Sequence, residues 1–217
     1  MRGLVPRLIS AVLLVSLIAC TTTVKQRARS AYQRGDYATA RALIEPLAES
    51  GDPEALANIG LMYAQGQGVP KDLVTAVAYF QRAAEKNSPL ANYNLGTAYT
   101  TGQGGLERDD VRGAACFKLA AEHRHVESML TLSSLYAQGR GLEKDPQRAL
   151  AWAALAAGNA GDVAFRESAL DQQRKISREA KMTPADIEAA IALGPSLRAL
   201  IDENVARYWA VASQYDR

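Results

Sequence analysis

The sequence predicts an all-α fold, a solenoid of stacked helix-turn-helix repeats, and three observations carry that prediction. The segment YAQGQGVPKD from Tyr63 returns as YTTGQGGLERD from Tyr99 and as YAQGRGLEKD from Tyr136, at steps of 36 and 37 residues. Gly66, Gly102 and Gly139 keep the same steps, and Asp72, Asp109 and Asp145 follow at 37 and 36, so one residue is inserted between Gly104 and Asp109. Small residues recur in the same register: Ala55 with Ala91, Gly60 with Gly96, and Ala76 with Gly113 and Ala149. A unit of this length holds two short helices that cannot bury an apolar face alone, so neighbours must stack.

The first residues carry targeting information. Arg2 and Arg7 precede the apolar run Leu8 to Ala19, and Leu17-Ile18-Ala19-Cys20 resembles a bacterial lipobox, whose cysteine is lipidated and becomes the mature N-terminus. The run is too short for a comfortable membrane-spanning helix, which needs about 20 residues. Residues 1–19 therefore read as a lipoprotein signal peptide and 20–35 as a lipidated tether with a first helix. An uncleaved anchor or plain secretion is the competing reading. Thr21 at the position after the cysteine favours the outer membrane, facing the periplasm, while inner-membrane anchoring and surface display stay open.

Residues 36–164 read as the repeat solenoid. In each copy the first helix ends at Tyr-x-x-Gly, where the glycine can take the left-handed backbone that terminates a helix. The second helix starts after Asp72, Asp109 or Asp145, each placed as an N-cap carboxylate, and Pro146 suits a first helical position. Ile59, Leu95 and Leu132 on first helices, with Tyr79, Cys116 and Trp152 on second helices, have apolar spacing near 3.6 and are expected in the core. The pairs Ala83-Ala84, Ala120-Ala121 and Ala156-Ala157 allow close helix crossings.

The run A-x-x-x-L-G-x-x-Y-x-x-G-x-G from Ala91 to Gly104, with the following D-x-x-x-A and A-A, resembles the Sel-one-like repeat, a relative of the tetratricopeptide repeat. The resemblance covers roughly Tyr37 to Ala164. GDYATARALIEPLAESGDPEA from Gly35 is similar to the opening half-repeat of bacterial members. In the third copy Ser133 replaces the usual glycine and Ser128 the alanine, which predicts a looser helix crossing there. The resemblance implies a right-handed α-solenoid that works as a protein-binding adaptor. Related lipoproteins point to a further expectation, service in cell-wall or exopolysaccharide assembly.

After Gly161 the repeated loop is missing. A charged helix from about Val163 to Lys181 is followed by Met182-Thr183-Pro184-Ala185-Asp186, a helix start with Thr183 as cap. Leu197, Leu200, Ile201, Val205, Tyr208 and Trp209 repeat at helical spacing, so residues 165–217 read as a helical cap over the last repeat. Tyr208 and Trp209 could instead join a partner interface.

Composition narrows the functional classes. Beyond residue 19, Lys+Arg and Asp+Glu balance at 23 each and are interspersed, so there is no basic footprint for nucleic acid. Cys116 has no disulfide partner if Cys20 carries lipid, and it reads as a small core hydrophobe. Two histidines, His123 and His125, do not make a metal site and read as a solvated turn. No S-x-x-K or G-x-S-x-G occurs, which leaves a periplasmic hydrolase of cell-wall or β-lactam substrates as a weaker alternative. The glycine loops lack the G-K-[ST] of phosphate cradles, and no catalytic residue, cofactor or metal is assigned.

The candidate site is instead a surface. If the first helix of each unit lines the concave side, as in tetratricopeptide relatives, positions two before and two after the core residue face the groove. These are Ala57 and Leu61, Tyr93 and Thr97, Leu130 and Ser134, with Gln65, Thr101 and Gln138 near the helix ends. Apolar groups beside hydroxyls and amides suit an extended peptide or a helix of an unidentified protein partner.

Overall fold

A computed structural model describes residues 23–194, which form ten helices and no strand. Helix α1 spans 23–33, followed by α2 (Tyr37–Glu49), α3 (Pro53–Gln65), α4 (Leu73–Ala84), α5 (Pro89–Thr101) and α6 (Asp110–Glu122). The series continues with α7 (Val126–Gln138), α8 (Pro146–Asn159), α9 (Val163–Glu179) and α10 (Pro184–Ala192). The signal segment, Cys20, Thr21 and the apolar series from Leu197 to Trp209 lie outside the described residues.

The helices pack along the chain, α3 on α4, α5 on α6 and α7 on α8, and α3 also touches α5. That is the nearest-neighbour arrangement of a solenoid. The repeated motif builds each hairpin. Gly66, Gly102 and Gly139 have φ of 73°, 68° and 71° and end α3, α5 and α7 in the left-handed region. Asp72, Asp109 and Asp145 then cap α4, α6 and α8 by accepting from backbone N–H groups of the first turn. The two ends of the motif are also tied directly: the backbone N–H of Asp72, Asp109 and Asp145 donates to the carbonyl of Tyr63, Tyr99 and Tyr136 at 2.9, 2.8 and 2.9 Å. The inserted residue of the second copy falls in the expected loop, where Gly104 and Gly105 stand together at φ 67° and 81°.

The second glycine of each loop has a different job. A Cβ on Gly68 would lie 2.9 Å from Cβ of Tyr37, one on Gly104 would lie 2.6 Å from the Leu73 carbonyl oxygen, and one on Gly141 would overlap the Asp110 carbonyl. Those three partners are the first residues of α2, α4 and α6, so each loop rests on the second helix of the preceding unit. The contact repeats from unit to unit. Polar bonds accompany it, with Gln67 Nε2 donating to Tyr37 Oη at 3.3 Å and Arg140 pairing with Asp110 at 2.8 Å.

Ile59, Leu95 and Leu132 are buried as the periodicity predicts, and so are Cys116 and Trp152. Tyr79 is only half-buried, because its ring stacks on Tyr63 at 5.7 Å between centroids rather than entering the core. The crossing expected to be looser in the third repeat is built from a different pair of side chains. A Cβ at Gly60 would lie 2.7 Å from the Phe80 ring, and one at Gly96 would lie 2.8 Å from the Phe117 ring. The position of those rings is Ala153 in the third repeat, so Ser133 meets a smaller partner and both are fully buried. A second exchange runs the other way: Gly113 makes room for Thr100, where the flanking repeats pair Ala76 with Ala64 and Ala149 with Ala137. This second exchange keeps the paired volume nearly constant, whereas Ser133 with Ala153 fills less space than glycine with a phenyl ring.

The ends are closed by related pairs. Helix α1 supplies the partner for α2, joined by a shorter turn in which Asp36 N–H donates to the Ala31 carbonyl at 3.0 Å. Ala28 shares one core with Ile44, Ala48, Leu56, Phe80 and Leu95. At the other end α9 and α10 pack on α8, and Ala169, Ile176 and Ala190 join the core around Leu132, Leu150 and Trp152. Thr183 caps α10 in a reciprocal capping box with Asp186, which is the helix start read from the sequence.

Candidate functional site

The first helices present a stripe of side chains at intervals of four, three and four residues. On α3 it is Glu54, Asn58, Leu61 and Gln65; on α5, Leu90, Asn94, Thr97 and Thr101; on α7, Glu127, Thr131, Ser134 and Gln138. All are exposed or half-exposed, and beyond the first helical turn none is charged. On α5 and α7 much of the polar capacity is used within the helix. Thr97 Oγ1 donates to the Tyr93 carbonyl at 3.1 Å, Thr101 to the Thr97 carbonyl at 2.7 Å, Thr131 to the Glu127 carbonyl at 2.9 Å, and Asn94 Nδ2 to the Leu90 carbonyl at 2.8 Å. Those hydroxyls therefore show methyl groups and oxygen lone pairs to the outside, a surface that can shed water at modest cost.

The six residues read from the sequence separate on this face. Ala57 is corrected: it is 0% exposed and belongs to the core shared with Ile44 and Leu56, so it lines no groove. Tyr93 is half-buried, its ring 4.8 Å from His125 and 5.7 Å from Phe117, and burial, with the Glu127 charge, holds its hydroxyl pKa above the ordinary range. Leu130 and Ser134 lie beside α9, where Gln172 Nε2 donates to the Leu130 carbonyl at 3.2 Å and to Ser134 Oγ at 2.9 Å. The chain's own cap thus flanks the third rung. Leu61 and Thr97 remain as open positions, half-exposed and exposed.

Beside Leu61 lies a cleft of about 810 Å³ between α1, α2 and α3, which the sequence did not foretell. Ala28, Ala40, Ile44, Ala55 and Met62 form its apolar floor, and Lys25, Arg29, Gln33, Glu54 and Asn58 stand among its polar lining. Lys25 Nζ bridges Asp52 at 2.8 Å and Glu54 at 3.0 Å. Partial burial works against the ammonium, yet these two carboxylates leave its pKa above the ordinary value. Asp52 also caps α3, accepting from Ala55 N–H at 2.9 Å, so one carboxylate fixes both helices. The first-helix caps Asp52, Ser88 and His125 were legible in the D-P and S-P dipeptides for two repeats, though not for the third.

His125 corrects the reading of the histidine turn. His123 is exposed, but His125 is half-buried and caps α7 through Nδ1, which accepts from Ser128 N–H at 3.4 Å and lies 3.0 Å from Ser128 Oγ. Burial lowers its pKa, opposed by Glu127. Cys116 lies in the core, and burial pushes its thiol up to about 12, so it is an inert core group. Away from the stripe, the same trio reinforces the second and third hairpins. Arg112 bonds Asp109 and lies 5.8 Å from the Tyr99 ring, and Arg148 does the same with Asp145 and Tyr136 at 5.9 Å. No helix among the described residues is long and apolar enough to cross a membrane.

Helical hairpins that repeat in register, touch only their neighbours and line up their first helices define the chain as an α-solenoid repeat protein. The Sel1 repeat family model matches residues 53–88, 89–125 and 126–159, so the chain carries three consecutive Sel1 repeats. No curated protein matches it in sequence. Among solved structures it is similar to a Sel1 repeat protein from Oxalobacter formigenes, with TM-score 0.62 and 25% identity over 69% of this chain. It also shares its fold with a protective antigen of uropathogenic Escherichia coli displaying an SLR fold, with TM-score 0.58 and 24% identity over 74% of this chain. The matches span 57% of the first structure's chain and 39% of the second's.

Proposed function

We propose that this protein is a non-enzymatic scaffold of the bacterial cell envelope that recruits a protein partner on its first-helix face. The observation that carries the reading is the uncharged stripe from Asn58 and Leu61 to Asn94 and Thr97, whose side chains stay open while the third rung is flanked by α9. A face with little charge and internally bonded hydroxyls gains by excluding water from a complementary surface, and an extended peptide or a helix fits such a stripe. The tether is lipid on Cys20, supported by Arg2, Arg7, the apolar run and the Leu17-Ile18-Ala19-Cys20 sequence. Thr21 supports placement at the outer membrane, facing the periplasm.

Two experiments test the two halves separately. In cells treated with a crosslinker, Leu61→Asp together with Thr97→Asp is expected to remove the crosslinked partner while the helical circular dichroism spectrum is retained. An unchanged set of crosslinked partners overturns the assignment of the face. Cys20→Ala is expected to abolish acylation and to move the protein to the soluble periplasmic fraction; persistent acylation and membrane retention overturn the tether.

A further inference from the structure

The seam between α1 and α3 is tied at both ends and open in the middle. At one end Lys25 holds Asp52 and Glu54. At the other, Tyr32 Oη donates to Gln65 Oε1 at 3.1 Å and also bonds Gln67. Between the ties lies the 810 Å³ cleft, and there the side chains of Arg29 and Asn58 have no hydrogen bond or ion pair among the described residues. The Glu54 carboxylate on the cleft lining is already engaged by Lys25. Arg29 is therefore a cation left without an acid, one helical turn from a lysine that has two.

We infer that this cleft takes an acidic side chain of a partner protein on Arg29 and Asn58, with an adjacent aliphatic side chain on the Ile44, Leu61 and Met62 floor. A guanidinium can donate two parallel hydrogen bonds to one carboxylate, and the Asn58 amide can supply a third donor. The aliphatic neighbour gains from the apolar floor, which lies among side chains that are otherwise core. The inference rests on the partner-binding reading above and deepens it by naming the chemistry at one end of the stripe.

The probe is a displayed library of random 12-residue peptides panned against the purified protein. Enriched sequences are expected to share Asp or Glu next to Leu, Ile or Met. Fluorescence anisotropy with a labelled enriched peptide should show about tenfold weaker binding when its acid is replaced by the amide, and a similar loss with Arg29→Gln. Arg29→Lys should recover part of the binding, and the exposed Arg178→Gln should leave it unchanged. Enriched peptides without acids, or acid-bearing peptides indifferent to Arg29→Gln, overturn the inference. If such peptides still lose binding with Thr97→Asp, which lies outside the cleft, the partner-binding face stands while the cleft assignment falls; if nothing is enriched, both fall. A photo-crosslinking residue at Leu61 that joins residues 1–22 or 195–217 of the same chain, with no peptide added, makes the chain itself the occupant and also overturns it.

Discussion

At the residue scale, two glycines with one name have opposite consequences. Gly141 sits at φ 65° where a Cβ would overlap the Asp110 carbonyl, so Gly141→Ala combines backbone strain with a clash against main chain that cannot rotate away. It is expected to destabilise by about 2 kcal/mol or more in urea unfolding. Gly158 lies inside α8 with nothing within 4 Å of a built Cβ, so Gly158→Ala should stabilise by about 0.5–1 kcal/mol. His125 supplies a pH test. Burial favours its neutral ring in the folded chain, so folding is helped above the ordinary value of 6.5 and that help is lost as pH falls through the lowered value. His125→Asn keeps a capping acceptor and cannot titrate, so the wild-type melting temperature should drop relative to that variant below about pH 6.5. Equal pH profiles would show that the ring contributes nothing.

At the element scale, the helix crossings behave as matched pairs. Two repeats set a glycine against a phenyl ring and the third sets Ser133 in the place of the glycine and Ala153 in the place of the ring, which predicts coupling between Ser133 and Ala153. Ala153→Phe alone should cost about 1–3 kcal/mol by overpacking against Ser133. Adding Ser133→Gly recreates the pair of the other repeats and should recover at least half of that loss, measured as the interaction energy of a double-mutant cycle. Additive losses would mean that the two side chains do not share the space. The exchange was visible in the aligned copies, since Phe80, Phe117 and Ala153 occupy one column and Gly60, Gly96 and Ser133 another. The expectation of a looser crossing rests on the glycine column, and the second column shows that the opposing ring is absent there as well.

At the scale of the molecule, a stack of units is only as soluble as its ends. Helices α9 and α10 cover the core around Leu150 and Trp152 with Ala169, Ile176 and Ala190. A chain ended at Gly161 should therefore expose that face, melt at a lower temperature and associate, detectable by light scattering. A monomeric product with unchanged melting would remove the capping role. The same cap shapes the candidate site, because Gln172 reaches across to Leu130 and Ser134 and leaves the open part of the stripe nearer the N-terminal end.

The sequence by itself determined the repeated helix pairs, the glycine stops of their first helices, the acidic starts of their second helices and the repeat length. These rest on interactions within a few residues, such as the left-handed glycine after Tyr-x-x and the carboxylate before a helix, which act wherever the segment lies. Only the tertiary structure decided which of the outward positions are open. Ala57 and Leu61 are four residues apart on α3 and share a helical face, yet one is covered by the neighbouring unit and the other borders a cleft. A first helix in the stack is packed from several sides, so its free surface is narrower than its amphipathic pattern suggests. Contacts such as Gly141 on Asp110, Gln172 on Ser134 and Lys25 on Asp52 join residues about 30 positions apart or more. They depend on how one unit settles against the next, and a spacing rule within one helix carries no information about that.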